Sequence, residues 1–161
     1  MAFPMSQAES LKALIETPLF LAPLSGWIIA QILKMLIFLL TGRHRSGREI
    51  LETVIWRTGG MPSSHAALVT SLTVSAAYRA GFDSDLFIVT LFFALIIMRD
   101  AMGVRRSSGL QSRALNSLGR QLAEKEGIEY HPVKEVHGHT PMEVVVGALL
   151  GFFIAAAYEF L

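Results

Sequence analysis

Between residues 19 and 40 the chain is apolar apart from Pro23, Ser25, Gly26, Gln31 and a single charge, Lys34. A chain of 161 residues has little interior in which to bury a helix that is apolar on every side. A bilayer with a hydrocarbon core of about 30 Å accepts such a helix directly, at about 20 residues per crossing. Three more stretches are clumped in the same way. Residues 58–78 carry no charge when His65 is neutral, residues 86–98 are broken only by Thr90, and residues 144–158 are uncharged. The last two reach spanning length when their charged ends snorkel to the interface. The pattern predicts an all-α polytopic membrane helix bundle with four spans, near residues 19–41, 63–80, 84–102 and 141–161. The second span is rich in Ser, Thr and Ala, which predicts that it faces other helices rather than lipid.

Composition removes the main alternatives. Charged residues make up 17% and hydrophobic residues 52% of the chain, against about 25% charged in soluble domains. A net charge of +1 with this hydrophobicity excludes a disordered chain. The absence of cysteine excludes a disulfide framework, thiolate chemistry and cysteine-ligated metal. Fourteen basic residues face thirteen acidic ones, so no nucleic-acid partner is expected. No repeat is visible, and residues 1–161 are read as one membrane-embedded domain.

Two amphipathic helices are expected at the interface. Ser6 and Glu9 have capping-box spacing ahead of Leu11, Leu14 and Ile15, and Pro18 ends that segment. It lacks the basic start and small-residue cleavage site of a signal peptide. The second is predicted from about Ser108 to Glu126, with Leu110, Ala114, Leu118 and Leu122 on one stripe and Gly127 after it. Four spans place residues 42–62 and 103–140 on one side. That side and its flank hold Arg43, Arg45, Arg48, Arg57, Arg99, Arg105, Arg106, Arg113, Arg120, Lys125 and Lys134, against Lys12 and Arg79 on the other. The basic side is expected to be cytoplasmic, in a bacterial inner membrane or its equivalent.

Three constellations carry chemistry. Gly59-Gly60-Met61-Pro62-Ser63-Ser64-His65 opens the second span. A helix start with serines and free amides suits a phosphate, and an imidazole one step inside suits proton transfer. A turn followed by a serine cap explains the same residues. Asp100 and the Arg105-Arg106 pair follow the third span, as forked phosphate donors or as an ordinary basic helix end. Asp100 is read as an arginine partner in preference to a metal ligand. Gly138-His139-Thr140-Pro141-Met142-Glu143 opens the fourth span. Either Glu143 backs the His139 imidazole four residues away, or it closes a capping box on Thr140. Zinc at His137 and His139 needs further ligands, and only His131 and acidic residues are near. In the four-span arrangement all three constellations, together with Lys34, fall on one membrane face. A lysine inside a span is a functional-site candidate by default.

These motifs resemble those of the type-2 phosphatidic acid phosphatase superfamily, which includes vanadium haloperoxidases, and most closely its short, divergent membrane branch. Pro62-Ser63-Ser64-His65 resembles the Pro-Ser-Gly-His signature with serine for glycine. His139-x3-Glu143 resembles the end of the Ser-Arg-x5-His-x3-Asp signature with glutamate for aspartate. The divergent branch's Asp-Ala-x-Gly-Val-Arg-Arg is present at residues 100–106. The resemblance implies that His139 attacks phosphorus, that Glu143 orients it and that His65 protonates the leaving oxygen. It implies that Lys34, Ser63, Ser64, Arg105 and Arg106 hold the phosphoryl oxygens, with Asp100 beside them. It implies a phospholipid or polyprenyl (pyro)phosphate substrate and no metal or cofactor. A homo-oligomer is expected. The superfamily's Lys-x6-Arg-Pro signature is missing, and its loss favours the alternative of a non-catalytic membrane protein that binds anionic headgroups or scaffolds a partner.

Overall fold

The computed structural model describes residues 6–41, 60–135 and 138–160, and these contain six helices. They are α1 (Gln7–Glu16), α2 (Pro18–Leu40), α3 (Ser64–Ala80), α4 (Asp85–Met102), α5 (Val104–Glu126) and α6 (Pro141–Phe160). Gly59, His137, Arg43, Arg45, Arg48, Arg57 and Leu161 lie outside the described residues. The four spans expected from the apolar runs correspond to α2, α3, α4 and α6.

Among the described residues three stretches are long and apolar enough to cross a membrane: Pro18–Leu40, Asp85–Glu126 and Pro141–Phe160, the apolar part of the second being α4. Their outer surfaces are large exposed side chains such as Ile32, Phe92, Ile96, Leu149 and Phe153. α3 differs from them. It has 17 residues and a sequence of small and hydroxylated side chains, and Ser64, Ala66, Ala67, Val69, Ser71, Thr73, Ser75, Ala76 and Ala77 are all buried. It sits among α2, α4 and α6, so protein rather than lipid meets its surface. In a membrane, helices associate by close packing and interhelical hydrogen bonds, because lipid is as apolar as leucine. Small residues supply that closeness. Ala22, Gly26 and Ala30 of α2 and Gly147, Gly151 and Ala155 of α6 are buried stripes at four-residue spacing. Cβ atoms at Gly147 and Gly151 would collide with the carbonyl oxygens of Ser63 and Ala67.

Hydroxyls then tie the helices together. Ser71 Oγ donates to the Gly151 carbonyl (2.9 Å), and Thr73 Oγ1 donates to the Val69 carbonyl (2.8 Å) and the Thr90 carbonyl (3.1 Å). At one end of the bundle Arg79 pairs with Glu159 (3.2 Å), and Ser25 bonds Tyr158 (2.8 Å). At the other end the Ser63 amide donates to the Glu143 carbonyl (3.0 Å). α3 and α6 therefore run parallel over their full length. Gly151→Val is expected to destabilise the bundle by about 1–3 kcal/mol, the usual penalty of overpacking. The readout is the thermal midpoint in detergent, and an unchanged midpoint would show that α3 and α6 are not packed this closely.

The two amphipathic helices are present. α1 has the full capping box, with the Ser6 amide on Glu9 Oε2 (2.8 Å) and the Glu9 amide on Ser6 Oγ (3.3 Å), and none of its residues is buried. α5 begins at Val104, four residues before the predicted start. Gly103 bends the chain without stopping it: its amide still bonds the Arg99 carbonyl (2.8 Å), and its carbonyl still accepts from Ser107 (2.9 Å). Among the described residues Leu110, Leu115, Leu118 and Leu122 are exposed on α5, and α4 is the one helix it packs on. Gly127 caps α5 in the left-handed conformation, and residues 128–135 then run back towards α4.

Candidate functional site

The site forms where the two small-residue stripes end over the start of α3. On α2 the sequence Ala22, Gly26, Ala30 continues at the same spacing to Lys34, which is 8% exposed. On α6 the sequence Ala155, Gly151, Gly147 continues to Glu143. Both charged side chains are thus delivered to the N-terminus of α3 by the registers that pack the bundle. Gly60, at φ +86°, lies against the aliphatic stem of Lys34. A side chain is strained in that left-handed region, so glycine suits the turn.

Ser63 is the N-cap of α3. It is fully buried, and its Oγ accepts from the Ala66 amide (3.4 Å). The amides of Ser64 and His65 precede the first intrahelical acceptor, the position from which helix starts hold anions. The His65 ring lies 6.1 Å from the His139 ring, edge-on at 66°. His65 Nδ1 is buried and has no hydrogen-bond partner among the described residues.

His139 is 2% exposed, and its backbone amide is anchored to the Ala101 carbonyl at the end of α4 (2.9 Å). Gly138 rests so closely on the Arg106 backbone that any Cβ would overlap it. His139 Nδ1 donates to Glu143 Oε2 (3.0 Å). The same oxygen accepts from the Thr140 amide (3.0 Å), while Thr140 Oγ1 accepts from the Glu143 amide (3.4 Å). The two sequence readings of Glu143 are therefore compatible. One carboxylate oxygen, with more than one lone pair, closes the capping box and holds the imidazole. Burial lowers the His139 pKa below the ordinary histidine value; the Glu143 hydrogen bond and charge oppose this, and the Lys34 and Arg105 charges add to it.

Of the two arginines, Arg105 is held in place, with Nε on Asp100 Oδ2 (2.9 Å). Arg105 and Lys34 both lie close enough to act electrostatically on the His65 and His139 rings. Arg106 is exposed and contributes its backbone as the seat for Gly138. His131 pairs with Glu129 at the surface (3.5 Å), away from this cluster. Among the described residues no group of three or more His, Asp or Glu is arranged to hold a metal ion. Sequence reasoning passed over Asn116, a polar residue buried in the middle of α5. A mid-helix asparagine on an otherwise charged and leucine-bearing helix was its one signal.

Two imidazoles, one backed by a carboxylate, thus stand together with two cations beside the N-terminus of α3. The family model of the Divergent PAP2 family matches residues 15–154, which include all three motifs and Lys34. The uncharacterized membrane protein YuiD of Bacillus subtilis (strain 168) is 37% identical over 156 residues, covering 88% of this chain and 94% of that protein. No solved structure matches the chain. The chain is an integral membrane protein and belongs to the Divergent PAP2 family.

Proposed function

We propose that the protein hydrolyses the phosphate or pyrophosphate of a membrane lipid through a phosphohistidine on His139. The observation that carries this reading is the His139 Nδ1–Glu143 Oε2 hydrogen bond at 3.0 Å, beside His65 and two cations. With its proton on Nδ1, the imidazole keeps a lone pair on Nε2 for attack on phosphorus. As the N–P bond forms, the bond from phosphorus to the leaving oxygen breaks, and His65 delivers a proton to that oxygen. Lys34, Arg105, Ser63, Ser64 and the first amides of α3 hold the phosphoryl oxygens, where charge develops. Asp100 keeps Arg105 extended. In the second half, His65 takes a proton from water, the water oxygen attacks phosphorus, the N–P bond breaks and phosphate leaves. A phospholipid or polyprenyl (pyro)phosphate suits a site at one end of the bundle, with the lipid tail alongside the helices.

Full-length protein in nanodiscs is expected to release phosphate from such lipids with EDTA present, and vanadate is expected to inhibit by taking the phosphoryl position. Release from soluble phosphomonoesters at the same efficiency would remove the lipid from the reading. Phosphate binding without release from any of them would leave an anionic-headgroup pocket in place of an enzyme.

The site also has a side. Arg99, Arg105, Arg106, Arg113, Arg120 and Lys125 accompany it, and Arg79 stands at the opposite end. By the positive-inside rule the site is expected on the cytoplasmic side. Cysteines introduced singly at Arg120 and Asp83 are expected to label from opposite sides, the first only from the cytoplasm. Labelling of both from one side would overturn the assignment.

A further inference from the structure

Asn116 is 2% exposed although, among the described helices, α5 packs on α4 alone. What buries it is the returning segment 130–135. Asn116 Nδ2 donates to the Val133 carbonyl (3.0 Å) and to Glu135 Oε1 (2.9 Å). Its Oδ1 accepts from the Val133 amide (2.9 Å) and from the Tyr130 hydroxyl. A side-chain amide offers two donors and two lone pairs, so this one spends its whole capacity on a single stretch of chain. One turn further along α5, the Tyr130 ring fills the space where a Cβ of Gly119 would sit. Segment 130–135 is neither helix nor strand, so its backbone groups depend on side chains for partners. Asparagine is a poor choice for a helix interior; here it serves the neighbouring strap.

The strap leads directly into the site. Glu135 and Gly138 are three peptide units apart, so their Cα atoms lie within about 11 Å of each other. Gly138 is seated on the Arg106 backbone, and the next residue is His139, hung from the Ala101 carbonyl at 2.9 Å. The ring of His139 is held from the far side by Glu143. Its approach along the chain is held by α5, through Asn116.

We propose that Asn116 is a positioning residue for His139, clamping segment 130–135 to α5 and thereby fixing the imidazole against the anion-binding groups. Asn116 touches no reacting atom. Its kinetic consequence rests on the phosphatase reading above; its structural consequence, a His139 kept buried, does not.

The test uses full-length protein in nanodiscs and two variants. Asn116→Ala removes all four hydrogen bonds. Gly119→Ala leaves Asn116 in place, sets a methyl group into the Tyr130 ring and improves the helix propensity of α5. It therefore releases the strap without melting the helix. Two readouts are taken below the thermal midpoint: the rate of His139 modification by diethyl pyrocarbonate, resolved by mass spectrometry, and kcat and KM on phosphatidic acid. Both variants are expected to expose His139 to the reagent. Both are expected to lower kcat by about 10²-fold with KM little changed, the loss typical of a reacting group displaced by ~1 Å. Folded variants in which His139 stays protected and kcat is unchanged overturn the proposal. So does a loss of activity that merely tracks the unfolded fraction. A wild type without turnover sinks the phosphatase reading instead, and the modification rate alone then decides for or against the positioning role.

Discussion

Labelled phosphate is expected on wild-type protein quenched during turnover, and none on His139→Ala. The reason is the division of labour between the ring nitrogens. Nδ1 faces Glu143 at 3.0 Å and takes the proton, so Nε2 is the one nucleophilic nitrogen the ring can offer. Among the described residues no second group replaces it: Ser63 Oγ is the cap of α3, and His65 Nδ1 has no hydrogen-bond partner. His65→Ala is expected to behave differently. The phosphoenzyme still forms, and turnover falls by something like the 10²–10⁴-fold typical of a general acid–base group. The deficit shrinks on a substrate whose leaving group needs no proton. Trapping the label on His65 in the wild type would exchange the two roles.

The parts of the fold that were legible in the sequence are those written as periodicity. The apolar runs locate α2, α3, α4 and α6 to within a residue of their observed starts, because the bilayer fixes how long a spanning helix is. The four-residue spacing that ends in Lys34 and the one that begins with Glu143 explain why two charges 109 positions apart in the chain meet over Ser63 and Ser64. Lys34 is Ala22 plus three steps of four on the buried face of α2, and Glu143 precedes Gly147 by one such step on α6. α5 starts at Val104 rather than near Ser108, and the hydrogen bonds of the Gly103 amide and carbonyl carry helical pairing across the junction with α4. Asn116 was not legible at all. Its partners lie 14 to 19 residues away in irregular chain, where no period announces a contact. Glu143 was legible as two mutually exclusive roles; exclusivity failed because a single oxygen accepts both hydrogens.

That shared oxygen makes Glu143→Gln the most discriminating substitution. As a cap, glutamine is as good as glutamate: its side-chain carbonyl can accept from the Thr140 amide, and the capping box tolerates either residue. If capping were the whole role, thermal stability and turnover would both survive. As the carboxylate behind a nucleophile, Glu143 supplies a negative charge that an amide lacks. An amide can also turn its N–H towards Nδ1, which moves the ring proton to Nε2 and removes the attacking lone pair. A comparable carboxylate-to-amide change behind a catalytic imidazole lowers turnover by about 10⁴-fold, and that sets the scale expected here. The pH dependence separates this loss from trivial protonation of the histidine. The Glu143 hydrogen bond and charge hold the His139 pKa up against burial, so their removal lowers it further. The acid limb of the phosphoenzyme-formation profile therefore shifts to lower pH in the variant, even as the plateau collapses. A variant with wild-type turnover at a wild-type thermal midpoint would leave Glu143 as a helix cap, with His139, His65, Lys34 and Arg105 then grouped around an anion they bind but do not cleave.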